Sequence, residues 1–240
     1  MIRGILTSGA AMRPALLAQS VLANNLANAT TSGFRQDRIA FERTLAPQGP
    51  AAPGEPAAEA PDLRAVLDPR PGPYEVTQRP FDLAIEGEGY FVVSTPEGER
   101  YTRAGQFQLT QEGTLVTAQG SPVLSSGGPL TLPTAEQLLV TRSGEIRDAK
   151  QTYGRLRVVT FDPQTPSGLT HVGGGLLAAS AEPIDAPEAR VLQGVLEGPN
   201  VEPLQALVEM MTLLRHFEMN EKALHAQDES LGTLLEWARS

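Results

Sequence analysis

The sequence contains no cysteine, which removes disulfides, thiolate metal sites and a cysteine nucleophile from consideration. Lysine is nearly missing: Lys150 and Lys222 are the only two, and no basic block stands against a formal net charge of −9. A nucleic-acid surface needs clustered cations to displace phosphate counterions, so nucleic acid is not expected as a partner. No apolar run approaches the ~20 residues that a membrane-spanning helix requires, so the chain is not expected to span a membrane. The early residues carry one Arg3 and are broken by Gly4, Gly9 and Pro14, unlike the continuous apolar segment of a cleavable secretory leader.

Chemistry-bearing patterns are equally scarce. Gly87-Glu88-Gly89 precedes a strand-like run, Tyr90-Phe91-Val92-Val93, so no helix N-terminus follows to hold a phosphate. Glu86 and Glu88 stand in the same turn, but nothing in the spacing sets the carboxylate separation that glycoside hydrolysis needs. His171, His216 and His225 are isolated, and the last two fall on opposite faces of a helix, which is no metal spacing. Ser125-Ser126-Gly127-Gly128 lacks the strand–turn–helix context of a nucleophile elbow. The chain is not expected to be an enzyme, with no catalytic, cofactor-binding or metal residues, no cofactor and no small-molecule substrate.

What is present is organised by position along the chain. Leu16, Leu17, Val21, Leu22 and Leu26 recur at helical spacing. Pro14 suits the first turn of such a helix, leaving residues 1–13 as a less regular lead-in. The run ends in Asn28, Thr30, Thr31 and Ser32, which compete for backbone hydrogen bonds, and then Gly33, which adopts left-handed geometry at no steric cost. Asn24 and Asn25 are poor helix formers whose side chains need partners, so they are either surface residues or register-setting groups in a helix–helix interface.

From Pro47 to Pro73 the chain carries eight prolines, and such a segment reads as an extended or disordered arm over 46–73. Residues 74–198 then show short β-branched and aromatic runs separated by Glu97-Gly98, Ala104-Gly105, Glu112-Gly113 and Gln119-Gly120. That is the pattern of hairpins in a sandwich or barrel-like all-β domain. Pro203 fits the first turn of a second helix, capped by Asn200 or Glu202. Along it Leu207, Leu214, Glu221, Asp228 and Leu235 share one heptad position, and Met210, Phe217, Leu224, Leu231 and Ala238 share another.

The expected fold is therefore mainly β with terminal α-helices. Residues 1–45 and 199–240 are expected to pair as a coiled-coil-like domain, because a lone terminal helix is marginal in water. The expected assembly interface comprises Leu16, Leu22, Asn24, Asn25, Leu26, Asn28 and Phe34 from the first end. Leu207, Met210, Leu214, Phe217, Leu224, Leu231 and Leu235 supply the second.

Three stretches carry a family resemblance. Ala23-Asn24-Asn25-Leu26-Ala27-Asn28 with Thr31-Ser32-Gly33-Phe34 is similar to the N-terminal signature of bacterial flagellar axial proteins of the rod and hook. Asp82-Leu83-Ala84-Ile85-Glu86-Gly87-Glu88-Gly89-Tyr90-Phe91 with Tyr101-Thr102-Arg103-Ala104-Gly105 resembles the hallmark of the same family's β domain. Asn200-Val201 with Phe217-Glu218-Met219-Asn220 resembles its C-terminal helix. Arg215-His216-Phe217-Glu218-Met219 looks most like proximal-rod members, whereas the Pro-rich arm departs from the distal-rod pattern.

The resemblance implies a structural subunit of the basal-body rod that crosses the periplasm. It implies helical assembly with itself and other rod subunits, and export through the flagellar apparatus without a cleaved signal. Three other readings stand open on sequence alone: a distal-rod or hook-type subunit, a secreted cell-wall hydrolase, and a soluble coiled-coil adaptor.

Overall fold

A computed structural model describes residues 2–42, 62–132, 138–149, 151–162, 168–186 and 188–237 of the chain. Residues 46–61 of the expected arm lie outside the described residues. Contacts divide the chain into two compact units. One holds two helices and a strand pair; the other holds residues 28–36 and 67–201 and is built of β structure.

In the helical unit, α1 (Ile2–Ala27) and α2 (Pro203–Trp237) contact one another. The first helix starts twelve residues before the expected position and runs through Pro14. An internal proline removes one backbone hydrogen bond, but lateral packing supplies stability that local propensity does not count. The second helix starts where expected. The Ala206 amide donates to the carbonyl of Glu202 at 3.0 Å, which puts Pro203 at the first helical position, where its missing N–H would be unpaired anyway. Two strands, β1 (Asp37–Glu42) and β2 (Asp62–Leu67), pair with each other. No described helix is long and apolar enough to cross a membrane.

The β unit is centred on an open six-stranded sheet. Its order is Thr170–Gly173, Leu176–Ala178, Gly98–Thr102, Tyr90–Thr95, Val158–Thr160 and Ile184–Asp185, with every neighbour antiparallel. Side chains alternate across its plane. Phe91 and Val93 enter one apolar cluster with Leu83, Ile85, Phe107 and Leu115; Val92 and Val159 enter another with Tyr101 and Leu177. Covering both faces buries Phe91, Val92 and Val93 in succession, so this central strand reads as a continuous apolar run.

Small two- and three-stranded sheets complete the unit, among them Leu83–Glu86 with Arg190–Gln193 and Tyr74–Val76 with Val195–Glu197. Of the expected sandwich or barrel-like forms, a closed barrel is not found: among the described residues no sheet closes. Closure joins edge strands, and the edges here are only four and two residues long, while separate apolar clusters already cover the two faces.

Candidate functional site

The residues with the most demanding chemistry form a buried charge cluster inside the β unit. Three chain segments distant in sequence build it. Arg35 follows the Thr31-Ser32-Gly33 turn, Arg103 follows the strand Gly98–Thr102, and Glu197 ends the strand Val195–Glu197. Arg35 Nη2 donates to Glu197 Oε1 at 2.6 Å, and Arg103 Nη1 donates to Oε2 at 2.9 Å. Their side chains are 3%, 4% and 0% exposed.

One carboxylate facing two guanidiniums leaves an excess positive charge away from water, which needs acceptors. Backbone oxygens provide them. Arg103 donates to the carbonyls of Ile85 at 2.9 Å and of Gly87, Arg35 donates to the carbonyl of Pro69, and Arg103 lies 5.5 Å above the Tyr90 ring. The Gly72 amide adds a third donor to Glu197, at 3.2 Å. Burial pushes the Arg35 guanidinium below its ordinary pKa; Glu197 opposes that shift and Arg103 reinforces it.

The segment carrying Arg35 is held residue by residue. The Thr31 amide donates to the Asn28 carbonyl and the Phe34 amide to that of Thr31, at 2.9 and 3.2 Å. Gly33 takes a φ of +67°, and a Cβ there would lie 2.2 Å from the Arg103 carbonyl carbon. Only glycine fits this turn and this approach. Its amide donates to the Glu197 carbonyl at 2.7 Å. Phe34 is buried and stacks on His171 with ring centroids 4.7 Å apart.

Asn200 locks the other side. Its amide donates to the Phe34 carbonyl at 3.2 Å, its Oδ1 accepts from the Gln36 amide at 2.7 Å, and its Nδ2 donates to the Arg70 carbonyl at 2.9 Å. Asn200 is therefore no helix cap. Beside it the Asp68 carboxyl takes hydrogen bonds from Arg70 and Gln36, and chiefly the Arg70 contact lowers its pKa to about 2.

Arg35, Arg103 and Glu197 are sealed from solvent, and the Nε atoms of both arginines are buried without a partner, so the cluster organises the chain and offers no open site to a substrate. Elsewhere, Glu86 and Glu88 are exposed, and no group of metal-ligating side chains occurs among the described residues.

Comparison with known proteins agrees with a structural role. Residues 5–35 match the family model described as flagella basal body rod protein. Residues 84–148 match the flagellar hook protein FlgE/F/G D1 domain, and residues 192–236 match the flagellar basal body rod FlgEFG protein C-terminal. The flagellar basal-body rod protein FlgF of Salmonella typhimurium is 34% identical over 246 residues, covering 97% of this chain and 96% of that protein. The chain belongs to the flagellar basal-body rod protein family.

FlgF of Escherichia coli is likewise 34% identical, over 97% of this chain and 96% of its own. The rod protein FlgG of Bacillus subtilis is 31% identical over the full length of both. This rod protein is a structural, FlgF-like subunit of the flagellar basal body and not an enzyme. The hydrolase reading of Glu86 and Glu88 finds no support among these relatives.

The structure distributes the expected interface residues of this rod subunit unevenly. Asn25 is buried inside the helical unit, where Nδ2 donates to the Asp37 carbonyl and Oδ1 accepts from the Asp37 amide, both at 2.9 Å. The side chain thus acts as a strand partner for the start of β1, not as a register group between helices. Phe34 is spent on His171, as described. Leu22, Leu26 and Asn28 are half-buried, while Leu16 and Asn24 are exposed.

On α2 the inward stripe is Ala206, Met210, Leu213 and Phe217, whereas Leu207 and Leu214 face outward. Both choices keep heptad spacing with Met210 and Phe217, so the pattern alone does not separate them. The side chains of Leu224, Leu231 and Leu235 lie outside those described.

Sequence reasoning missed Arg35, Arg103, Glu197 and Asn200 as partners. Each sits in or beside one of the three family stretches, but nothing local says that they converge.

Proposed function

We propose that this rod subunit polymerises through its terminal helices, paired as a coiled coil, into a helical and non-closing array within the proximal part of the rod. One observation carries the reading: α2 is apolar on two faces. While one stripe turns inward, Leu204, Leu207, Val208, Met211 and Leu214 follow helical spacing on the other face and are 41–76% exposed. Leu16 of α1 is also 54% exposed.

Contiguous apolar exposure of this kind marks an interaction surface. Covering it would contribute on the order of 5–10 kcal/mol per subunit before association costs. A tube requires heterologous contacts that repeat without closing, and a neighbour's helices supply a matching apolar partner. The inferred assembly surface therefore comprises the outward residues Leu16, Asn24, Leu207 and Leu214, extended by Leu204, Val208 and Met211. The 34% identity to FlgF of Salmonella typhimurium and of Escherichia coli, against 31% to FlgG of Bacillus subtilis, supports the proximal position. Delivery by the flagellar export apparatus and passage across the periplasm accompany that reading.

The test is the triple variant Leu204→Gln, Val208→Gln, Met211→Gln. The soluble subunit should keep its circular dichroism and its thermal midpoint, because exposed substitutions change stability little. It should be missing from purified basal bodies. Incorporation at the wild-type level would overturn the proposal.

A further inference from the structure

The charge cluster has an order built into it. None of residues 28–36 and none of 195–200 belongs to the two apolar clusters that hold the central sheet. Arg103 is fixed independently of both, by the carbonyls of Ile85 and Gly87. In the absence of Glu197, the site that receives Arg35 therefore presents a like charge held in place, and the two guanidiniums repel. Glu197 reverses the sign of that encounter by accepting from both, at 2.6 and 2.9 Å.

The same short segment gives the Glu197 carbonyl to the Gly33 amide, the Asn200 Oδ1 to the Gln36 amide and the Asn200 amide to the Phe34 carbonyl. Glu197 lies 162 residues after Arg35 and 94 after Arg103. We propose that Glu197 is an electrostatic gate: residues 28–36, the continuation of α1, dock on the β unit only when the chain through Asn200 has folded onto it. Anchoring of the segments that follow α1 and precede α2 is thereby a single late event. A chain with its C-terminal flank not yet in place keeps its N-terminal flank undocked.

The test is hydrogen exchange on the full chain carrying Glu197→Gln, alone and with Arg103→Met. The single variant should accelerate exchange at the Gly33, Phe34 and Gln36 amides by on the order of 100-fold, because a buried charge loses its partner. Amides of Tyr90–Thr95 and Gly98–Thr102 should keep their protection. Adding Arg103→Met removes the repulsion and should return the 28–36 amides to within about tenfold of wild type. Unchanged protection at 28–36 in the single variant would overturn the gate. So would loss of protection across the whole sheet, or a double variant as unprotected as the single one.

Discussion

Replacing Gly33 by alanine tests whether the turn after α1 is set by backbone freedom alone or by its approach to Arg103. The φ of +67° would cost an L-residue about 1–2 kcal/mol. The added Cβ would also lie 2.2, 2.3 and 2.4 Å from the Arg103 carbonyl carbon, its oxygen and the Ala104 amide nitrogen. Those are backbone atoms that cannot rotate aside. Moving the turn away lengthens the 2.7 Å bond from the Gly33 amide to the Glu197 carbonyl, worth roughly 0.5–1.5 kcal/mol, and loosens a buried ion pair.

The expected destabilisation is about 3–5 kcal/mol, at the severe end for a point substitution. For a unit of this size that corresponds to a drop of roughly 6–20 °C in thermal midpoint. Gly87→Ala is the matched control: its φ is +94°, yet a Cβ there meets nothing within 4 Å. It should lose only about 1–2 kcal/mol. Urea denaturation of both variants, followed by far-ultraviolet circular dichroism, separates the two contributions. Equal losses at Gly33 and Gly87 would refute the close-approach argument.

Two further predictions concern groups around the same segments. The Asp68 pKa falls from 3.8 to about 2 on folding, so its contribution is full above pH 4 and is lost as pH drops towards 2. It amounts to about 2 kcal/mol at most, reduced because Arg70 is exposed and screened; urea midpoints of wild type and Asp68→Asn should converge between pH 4 and 2. Asn25→Ala leaves the Asp37 amide and carbonyl without their side-chain partner. It should cost about 1–3 kcal/mol and speed exchange at the Asp37 amide, while amides of the strand Tyr90–Thr95 stay as protected as in wild type.

Several features were legible because their cause is local. Pro203 opens α2 and Gly33 ends the turn after α1 since each residue's own backbone chemistry favours that place. Gly98, Gly113 and Gly120 all take positive φ in the turns expected between strands. Pro14 misled because its local cost was weighed without the helix packing that opposes it. The choice between Leu207 and Leu213 on α2 could not be made, since both belong to acceptable apolar stripes and only a neighbour decides which one turns inward. Asn25 was rightly marked as needing a partner, but a 3.6-residue repeat cannot say that the partner is the backbone of Asp37.

By itself the sequence determined the order helix, strands, helix. It also marked the three stretches that tie the chain to a rod family. Those properties follow from residue type and short spacing, which the chain carries before it folds. Tertiary structure alone decided that Arg35, Arg103 and Glu197 meet, that the central sheet stays open, and that Asn200 joins Gln36 to Arg70 instead of capping a helix. Such contacts join residues 94 to 164 positions apart, where side-chain periodicity carries no information and only the packed sheet fixes who is adjacent to whom.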